Sequence, residues 1–283
     1  MMILKEVLTE ENYYSATANL AYMSVSQYKA FSKCEAAALA EIRGEYIRPT
    51  TKAMLVGGYV DAHFSGTMEM FCTEHPEICK KDGTLKAEFI EADILISRLE
   101  QDELFNLLMG GEKQVIKTGT ISGVPFKVKI DSLLSEAQVE QIVRRFPETA
   151  MALGFPFSAG AIVDMKIMKD LSPVWSDDLH QRIPFAQYYG YDIQGAIYRE
   201  VDGRELPFVL DVGTKETEPD ISAMYIPSDD LTAKLIEIED NAPRYQAIKQ
   251  GKEEPHRCEH CDYCKRTRRL HTIVDYRGAR YGV

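Results

Sequence analysis

Residues 159–170, AGAIVDMKIMKD, constrain the fold more than any other stretch of the chain. A short apolar run, Ala161 to Val163, ends in Asp164, Met165 and Lys166. Residues i and i+2 of a strand share a face, so Asp164 and Lys166 stand side by side at the end of a buried strand. In isolation, D-x-K is an ordinary strand-end ion pair. It becomes informative when other segments deliver polar groups to the same end of a sheet.

The flanking segments supply a mixed architecture. Residues 1–22 read as an irregular lead-in. SVSQYKAFSKCEAAALAEIRG (24–44) reads as a helix, with Ser24 or Ser26 as its cap and Gly44 as its stop. A second helix spans 51–71 and holds Gly57 and Gly58, which cost a helix roughly 1 kcal/mol each and so point to close packing. A third helical stretch ends at Gly110-Gly111. The period then changes. Residues 112–134 alternate apolar and polar around Ser122-Gly123, a β-hairpin with Asp131 near the end of its second strand. A partly helical insertion (135–154), the strand at 160–167, a helix at 184–203, a strand at 206–216 and a helix at 228–251 follow. The helix at 228–251 has acid at its start and base at its end, which suits its dipole. The expectation is an α/β fold. One unit, 1–283, would comprise a helical part (1–111), an α/β core (112–250) and a cysteine-rich basic segment (251–283).

If the strands that end in Asp131 and Asp164 are neighbours, the two carboxylates beside a backbone carbonyl offer the hard oxygen ligands that Mg²⁺ or Mn²⁺ prefers. A lysine beside them can orient a water or stabilise charge developing in the transition state. In YDIQGAIY, Gln194 and Tyr198 lie at i and i+4, on one face of the following helix. Upstream, Asp61 lies four residues after Gly57.

Taken in order, G-x-x-x-D, K-I-D, V-D-M-K and Y-D-I-Q-G-A-I-Y, the chain resembles the PD-(D/E)XK nuclease superfamily, and within it the branch of RecE-type and RecB-like phage exonucleases. The match runs from about residue 24 to 216, and the cysteines extend it towards both ends. The resemblance implies a restriction-endonuclease-like core, a central mixed sheet flanked by helices, with a C-terminal cysteine-rich segment. It implies that Asp131, Asp164 and the carbonyl of Met165 bind metal, that Lys166 positions the attacking water, and that Gln194 and Tyr198 support the site and the DNA backbone. The helix position that is usually His in this branch falls on Asp61, with His63 two residues on; either is a candidate for completing the metal site. Ile167 stands where relatives often have Thr, and the insertion between Asp131 and Asp164 is longer than in compact members.

HRCEHCDYCKRTRR carries C-x2-C-x2-C spacing at Cys258, Cys261 and Cys264. Three cysteines so close suit a metal: Zn²⁺ with a fourth ligand such as His256 or His260, or an iron–sulfur cluster with four thiolates. In iron–sulfur-bearing relatives one distant N-terminal cysteine joins three C-terminal ones, and the resemblance places Cys34 in that role, completing a [4Fe-4S] site. Cys72 and Cys79 are expected to be structural or incidental.

Bulk properties limit the remaining classes. The 283 residues are 45% hydrophobic and 27% charged, and no apolar run approaches the roughly 20 residues of a membrane span. The first residues turn acidic too soon for a secretory signal, so the cytoplasm is the expected location. A net charge of −11 argues against coating nucleic acid by charge alone, although the segment from His256 to Val283 holds seven Lys or Arg against three Asp or Glu. The expected function is a Mg²⁺- or Mn²⁺-dependent DNA exonuclease of phage or prophage recombination type. It would act 5′ to 3′ at double-stranded DNA ends, with a single-strand annealing protein as partner and a ring-like homo-oligomer as the form implied by processive relatives. The alternative is a nuclease-fold protein that binds DNA ends, or a recombination partner, without cutting.

Overall fold

The computed structural model describes residues 7–273; the outer ends of the expected 1–283 unit, with Arg277 and Arg280 of its basic tail, lie outside the described residues. Among the described residues, seven α-helices and one short 3-10 helix precede the first strand. Helix α1 (Ala16–Ala21) starts behind the Ser15 cap, and its six residues are too few to show a period in the sequence. The expected 24–44 helix is two, α2 (Val25–Lys33) and α3 (Glu35–Ile42), parted by the extended backbone of Cys34 at φ −163° and ψ 106°. The second expected helix likewise divides into α4 (Lys52–Ser65) and α5 (Met68–Glu74) at Gly66, whose φ of 75° only a glycine adopts freely. The third becomes α6 (Ala87–Glu100) and α7 (Glu103–Leu108), which restarts on the Asp102 cap.

Strands β1 (Glu112–Ile121) and β2 (Val124–Ser135) form the expected hairpin. Its turn residues Ser122 and Gly123 both have positive φ, as a two-residue hairpin turn matched to strand twist requires. Helix α8 (Glu136–Arg145) opens on a capping box of Ser135 and Gln138. After β3 (Gly160–Met168) comes a small hairpin that sequence reading did not find, β4 (Val174–Ser176) and β5 (Gln181–Ile183). The expected 184–203 helix is split by Gly190, at φ 65°, into α9 (Phe185–Tyr188) and α10 (Tyr191–Asp202). Strands β6 (Phe208–Thr214) and β7 (Ile221–Ile226), then α11 (Ser228–Lys249) and α12 (Asp262–Arg266), complete the described chain.

The main sheet has five strands in the order β1-β2-β3-β6-β7. Only β3 and β6 are parallel, so the sheet is mixed, and helices cover both faces. On one face Phe126, Val128, Ile130, Ile162 and Leu210 pack with residues of α2, α10 and α11. On the other, Leu134, Val163 and Val209 pack with α4, α6 and α8. Strand β6 is buried along its whole length, as a strand with neighbours on both sides and helices on both faces must be. This is the α/β core anticipated from the sequence. No helix among the described residues is long and apolar enough to cross a membrane.

Candidate active site

The antiparallel ladder between β2 and β3 runs from Ser135↔Gly160 to Ser132↔Val163 and stops there. The next facing residues are Asp131 and Asp164, so two carboxylates stand together where the strands part. Asp131 Oδ2 accepts the Met165 backbone N–H at 3.0 Å, in place of the carbonyl a continued ladder would have supplied. On its other side β2 also opens. Pairs Lys113↔Ser132 and Val115↔Ile130 bracket an unpaired Gln114, whose φ is 52°. A non-glycine residue in the left-handed region is strained, and this one faces Asp131 and lines the same cleft.

Lys166 projects on the same side of β3 as Asp164 and its ammonium forms an ion pair with Asp164 Oδ2. The same ammonium donates to the Met165 carbonyl at 3.3 Å, so that carbonyl points into the site. Helix α10 grips both strands. Gln194 Nε2 donates to Asp164 Oδ1 at 2.5 Å, and the Tyr198 hydroxyl donates to the Lys129 carbonyl at 2.8 Å, two residues before Asp131. The helix comes this close because residue 195 is glycine: a Cβ there would lie 2.6 Å from the Phe208 ring and 2.8 Å from Leu231. Gln194 and Tyr198 are both buried, and these polar atoms are committed to the strands rather than to solvent.

Asp131, Asp164, Met165 and Lys166 line a cleft of about 750 Å³, together with Asp61 of α4 and Lys29 of α2. Of the paired glycines, Gly58 packs edge-on to Phe71, where a Cβ would come within 2.9 Å, whereas a Cβ on Gly57 would meet nothing. Close packing therefore explains only Gly58; Gly57 leaves the cleft wall open. His63 is not brought into the site. Two residues along a helix turn the side chain about 200° away, and its Nε2 lies 2.8 Å from Glu100 Oε1 of α6.

Burial, then the charge of Asp164, push the Asp131 carboxyl well above its ordinary range, with Lys166 partly opposing. Burial also raises the Asp61 carboxyl, against the pull of Lys166 and Lys129. Burial works against the Lys166 ammonium, but Asp164 and Asp131 outweigh it and hold the proton more tightly than in water. Lys29 is lowered to about 8 by burial and by the charges of Lys166 and Lys33. Asp164 Oδ2 is buried and accepts no directed hydrogen bond, its contact with Lys166 being an ion pair. Three carboxylates crowded around a single ammonium leave excess negative charge that calls for a further cation. Asp131, Asp164, Asp61 and the Met165 carbonyl are hard oxygen donors of the kind Mg²⁺ and Mn²⁺ take, so the donor set fits a divalent cation.

At the far end of α2, the sulfurs of Cys34, Cys258, Cys261 and Cys264 all lie within 4.8 Å of one another. Cys34 Sγ is 3.6 Å from Cys264 Sγ across 230 residues of sequence. The backbone N–H groups of Cys261 and Cys264 point at the sulfurs of Cys258 and Cys261, at 3.3 and 3.4 Å. Four convergent thiols fit either zinc or an iron–sulfur cluster. The histidines do not complete the group: His256 is exposed, and His260 Nδ1 lies 2.7 Å from the Cys258 carbonyl oxygen. Beside the sulfurs, Arg244 makes a two-pronged contact with Glu35, 2.8 Å on each side, and Glu35 Oε2 also accepts the His256 N–H at 2.7 Å. Cys72 is exposed, and neither it nor Cys79 joins the group.

Lys29, Gln114 and the exposed Tyr14 also line the cleft, and sequence reasoning missed them. Lys29 sits one turn after Ser26 and becomes interpretable once α2 is placed. Nothing local marks Gln114 or Tyr14.

Comparison with known proteins agrees with this geometry. A crystal structure from Eubacterium rectale, described as a "putative exonuclease", superposes with a TM-score of 0.82 at 38% identity, over 95% of this chain and 97% of that one. No curated protein matches. The family model for a PDDEXK-like domain of unknown function (DUF3799) matches residues 24–140 and 157–267. The match takes in β2, β3 and α10 and all four clustered cysteines, and on that extent the chain belongs to the PDDEXK-like DUF3799 family.

Proposed function

We propose that the protein is a metal-dependent deoxyribonuclease that hydrolyses phosphodiesters from a DNA end. The observation that carries this reading is the meeting of Asp131 and Asp164 where their ladder stops, with Lys166 against them and Gln194 behind. Asp131, Asp164, the Met165 carbonyl and Asp61 are the groups that would hold Mg²⁺ or Mn²⁺. A divalent cation bound there would polarise a phosphoryl oxygen and lower the pKa of a water. Lys166 stays protonated and can donate to the attacking water or to the charge growing on phosphorus. Gln194 holds one oxygen of Asp164, which leaves the other directed at the site. Tyr198 fixes the β2 backbone just ahead of Asp131.

The description of the E. rectale relative as an exonuclease supports action at ends. The RecE-type resemblance supports double-stranded substrates, a 5′ start, and a place in phage or prophage recombination beside a single-strand annealing protein. The four cysteines we assign to a [4Fe-4S] cluster that fastens the two ends of the fold, with Zn²⁺ as the alternative.

Linear duplex DNA labelled at either the 5′ or the 3′ terminus, incubated with Mg²⁺ or EDTA, tests the reading. The expected result is Mg²⁺-dependent release of the 5′ label, absent in Asp164→Ala and Lys166→Ala. Binding of ends without hydrolysis, in protein replete with both metals, would overturn it in favour of a non-cutting end-binding protein.

A further inference from the structure

Beside Lys166 a row of aromatic rings, Tyr191, Tyr189 and Tyr188, leads away from the catalytic cleft. The Lys166 ammonium lies 5.2 Å from the centroid of Tyr191, and the Lys29 ammonium lies 5.4 Å from the same ring. Tyr191 is 6.1 Å from Tyr189, and Tyr189 is 5.1 Å from Tyr188. Tyr189 then shares a second recess, of about 280 Å³, with Trp175 of the β4–β5 hairpin, and Lys169 and Arg182 line that recess too. Trp175 is 50% exposed and Tyr189 42% exposed, so both rings are within reach of a ligand.

The polar contact of Trp175 is made at the edge of its ring. Asp177 takes the indole N–H of Trp175 at 3.0 Å, in the plane of the ring. Arg182 spends one nitrogen on the Pro173 carbonyl at 2.9 Å and is otherwise exposed, and Lys169 has only a 3.7 Å contact with Asp170. Rings in file with cations beside them match a polynucleotide whose bases are unpaired: each base offers a face to stack, each phosphate a negative charge. A duplex offers its phosphates but keeps its base faces covered. The insertion that builds the track lies between β3, which carries Asp164 and Lys166, and α10, which carries Gln194, so a strand on it runs directly into the site.

We propose that Tyr189 and Trp175 form a stacking track for an unpaired stretch of the DNA strand being cut, with Lys169 and Arg182 along its phosphates and Lys29 at the cleft end, where Tyr191 packs against it. The proposal rests on the nuclease reading above and adds that the active site takes its substrate as a single strand, frayed from the duplex end.

Trp175 is the only tryptophan of the chain, so it reports on its own occupancy. The full-length protein, held in EDTA to prevent hydrolysis, is titrated with oligothymidylate and with blunt duplex of equal length while tryptophan emission is followed. Saturable quenching by oligothymidylate, and weaker quenching by the duplex, are expected. Tyr189→Ala should weaken oligothymidylate binding about tenfold. By anisotropy of a labelled oligonucleotide, Trp175→Ala should weaken it similarly, while Trp175→Phe should bind as the parent does. Lys166→Ala should lose hydrolysis and keep the quenching, which separates the two readings. Quenching in a protein that cuts no DNA would sink the nuclease reading and leave the track. Unchanged emission at saturating oligonucleotide, or unchanged affinity in Tyr189→Ala, would overturn the track and mark these rings as a contact for another protein.

Discussion

Gln194 fixes the Asp164 carboxylate by donating to Oδ1, while Oδ2 carries the ion pair with Lys166. Removing a partner that orients a metal ligand typically costs 10–100-fold in affinity or activity. Gln194→Ala should therefore lower kcat and Mn²⁺ affinity by roughly that factor, with an unchanged circular dichroism spectrum. The α4 residues make a sharper comparison. Asp61→Ala should weaken Mn²⁺ binding measured by calorimetry, and His63→Ala should not, because His63 faces Glu100 outside the cleft. At this scale much was legible. Asp164 and Lys166 share a face by strand period alone, and Gln194 and Tyr198 share one by helical period. Gln114 was not, because its left-handed backbone follows from how the ladder on β2 opens opposite it, and no side chain in β1 encodes that.

Helix α10 works as a brace only at its present depth, and Gly195 sets that depth. Gly195→Ala forces a Cβ against Phe208 and Leu231. We expect a loss of about 1–3 kcal/mol in chemical denaturation, with activity falling because Gln194 is lifted from Asp164. Strand β6 carries a different tension. Asp211 is 3% exposed, its Oδ2 has no hydrogen-bond partner, and burial, then the charge of Asp102, push its carboxyl well above the ordinary range. The folded state therefore holds a proton that the unfolded chain releases near pH 4, so stability falls as pH rises from about 4 towards the raised folded-state value. Asp211→Asn cannot ionise. Its melting temperature should exceed the parent's near pH 7, by the equivalent of roughly 1–3 kcal/mol, and the difference should shrink towards pH 4. Long elements were readable from period, whereas β4 and β5 have three residues each, too few for an alternation to show. Strand β7 was missed because its six residues, ISAMYI, follow a polar stretch and lie at the sheet edge, where one side of the backbone is free and burial is partial. The break at Cys34 was hidden because the residues on both sides favour helix, and the sulfur's partners 230 residues away hold the extended backbone between them.

For the whole molecule, the four sulfurs join the α2–α3 junction to the segment beyond α11. Cys34→Ser should abolish stoichiometric metal in the purified protein and lower its melting temperature, because metal binding free energy is folding free energy at such a site. A visible absorption band lost in the variant would identify iron–sulfur, and a colourless parent containing one equivalent of zinc would identify zinc. Helix α2, which brings Lys29 to the cleft, ends at Cys34, so the wall of the site is anchored by residues that follow it in the chain by more than 220 positions. During synthesis Asp131, Asp164, Lys166, Gln194 and Tyr198 are all in place in sequence before Cys264 exists. A chain cut before residue 258 would keep all five of those side chains and lack three of the four sulfurs that clasp α2 to the segment beyond α11.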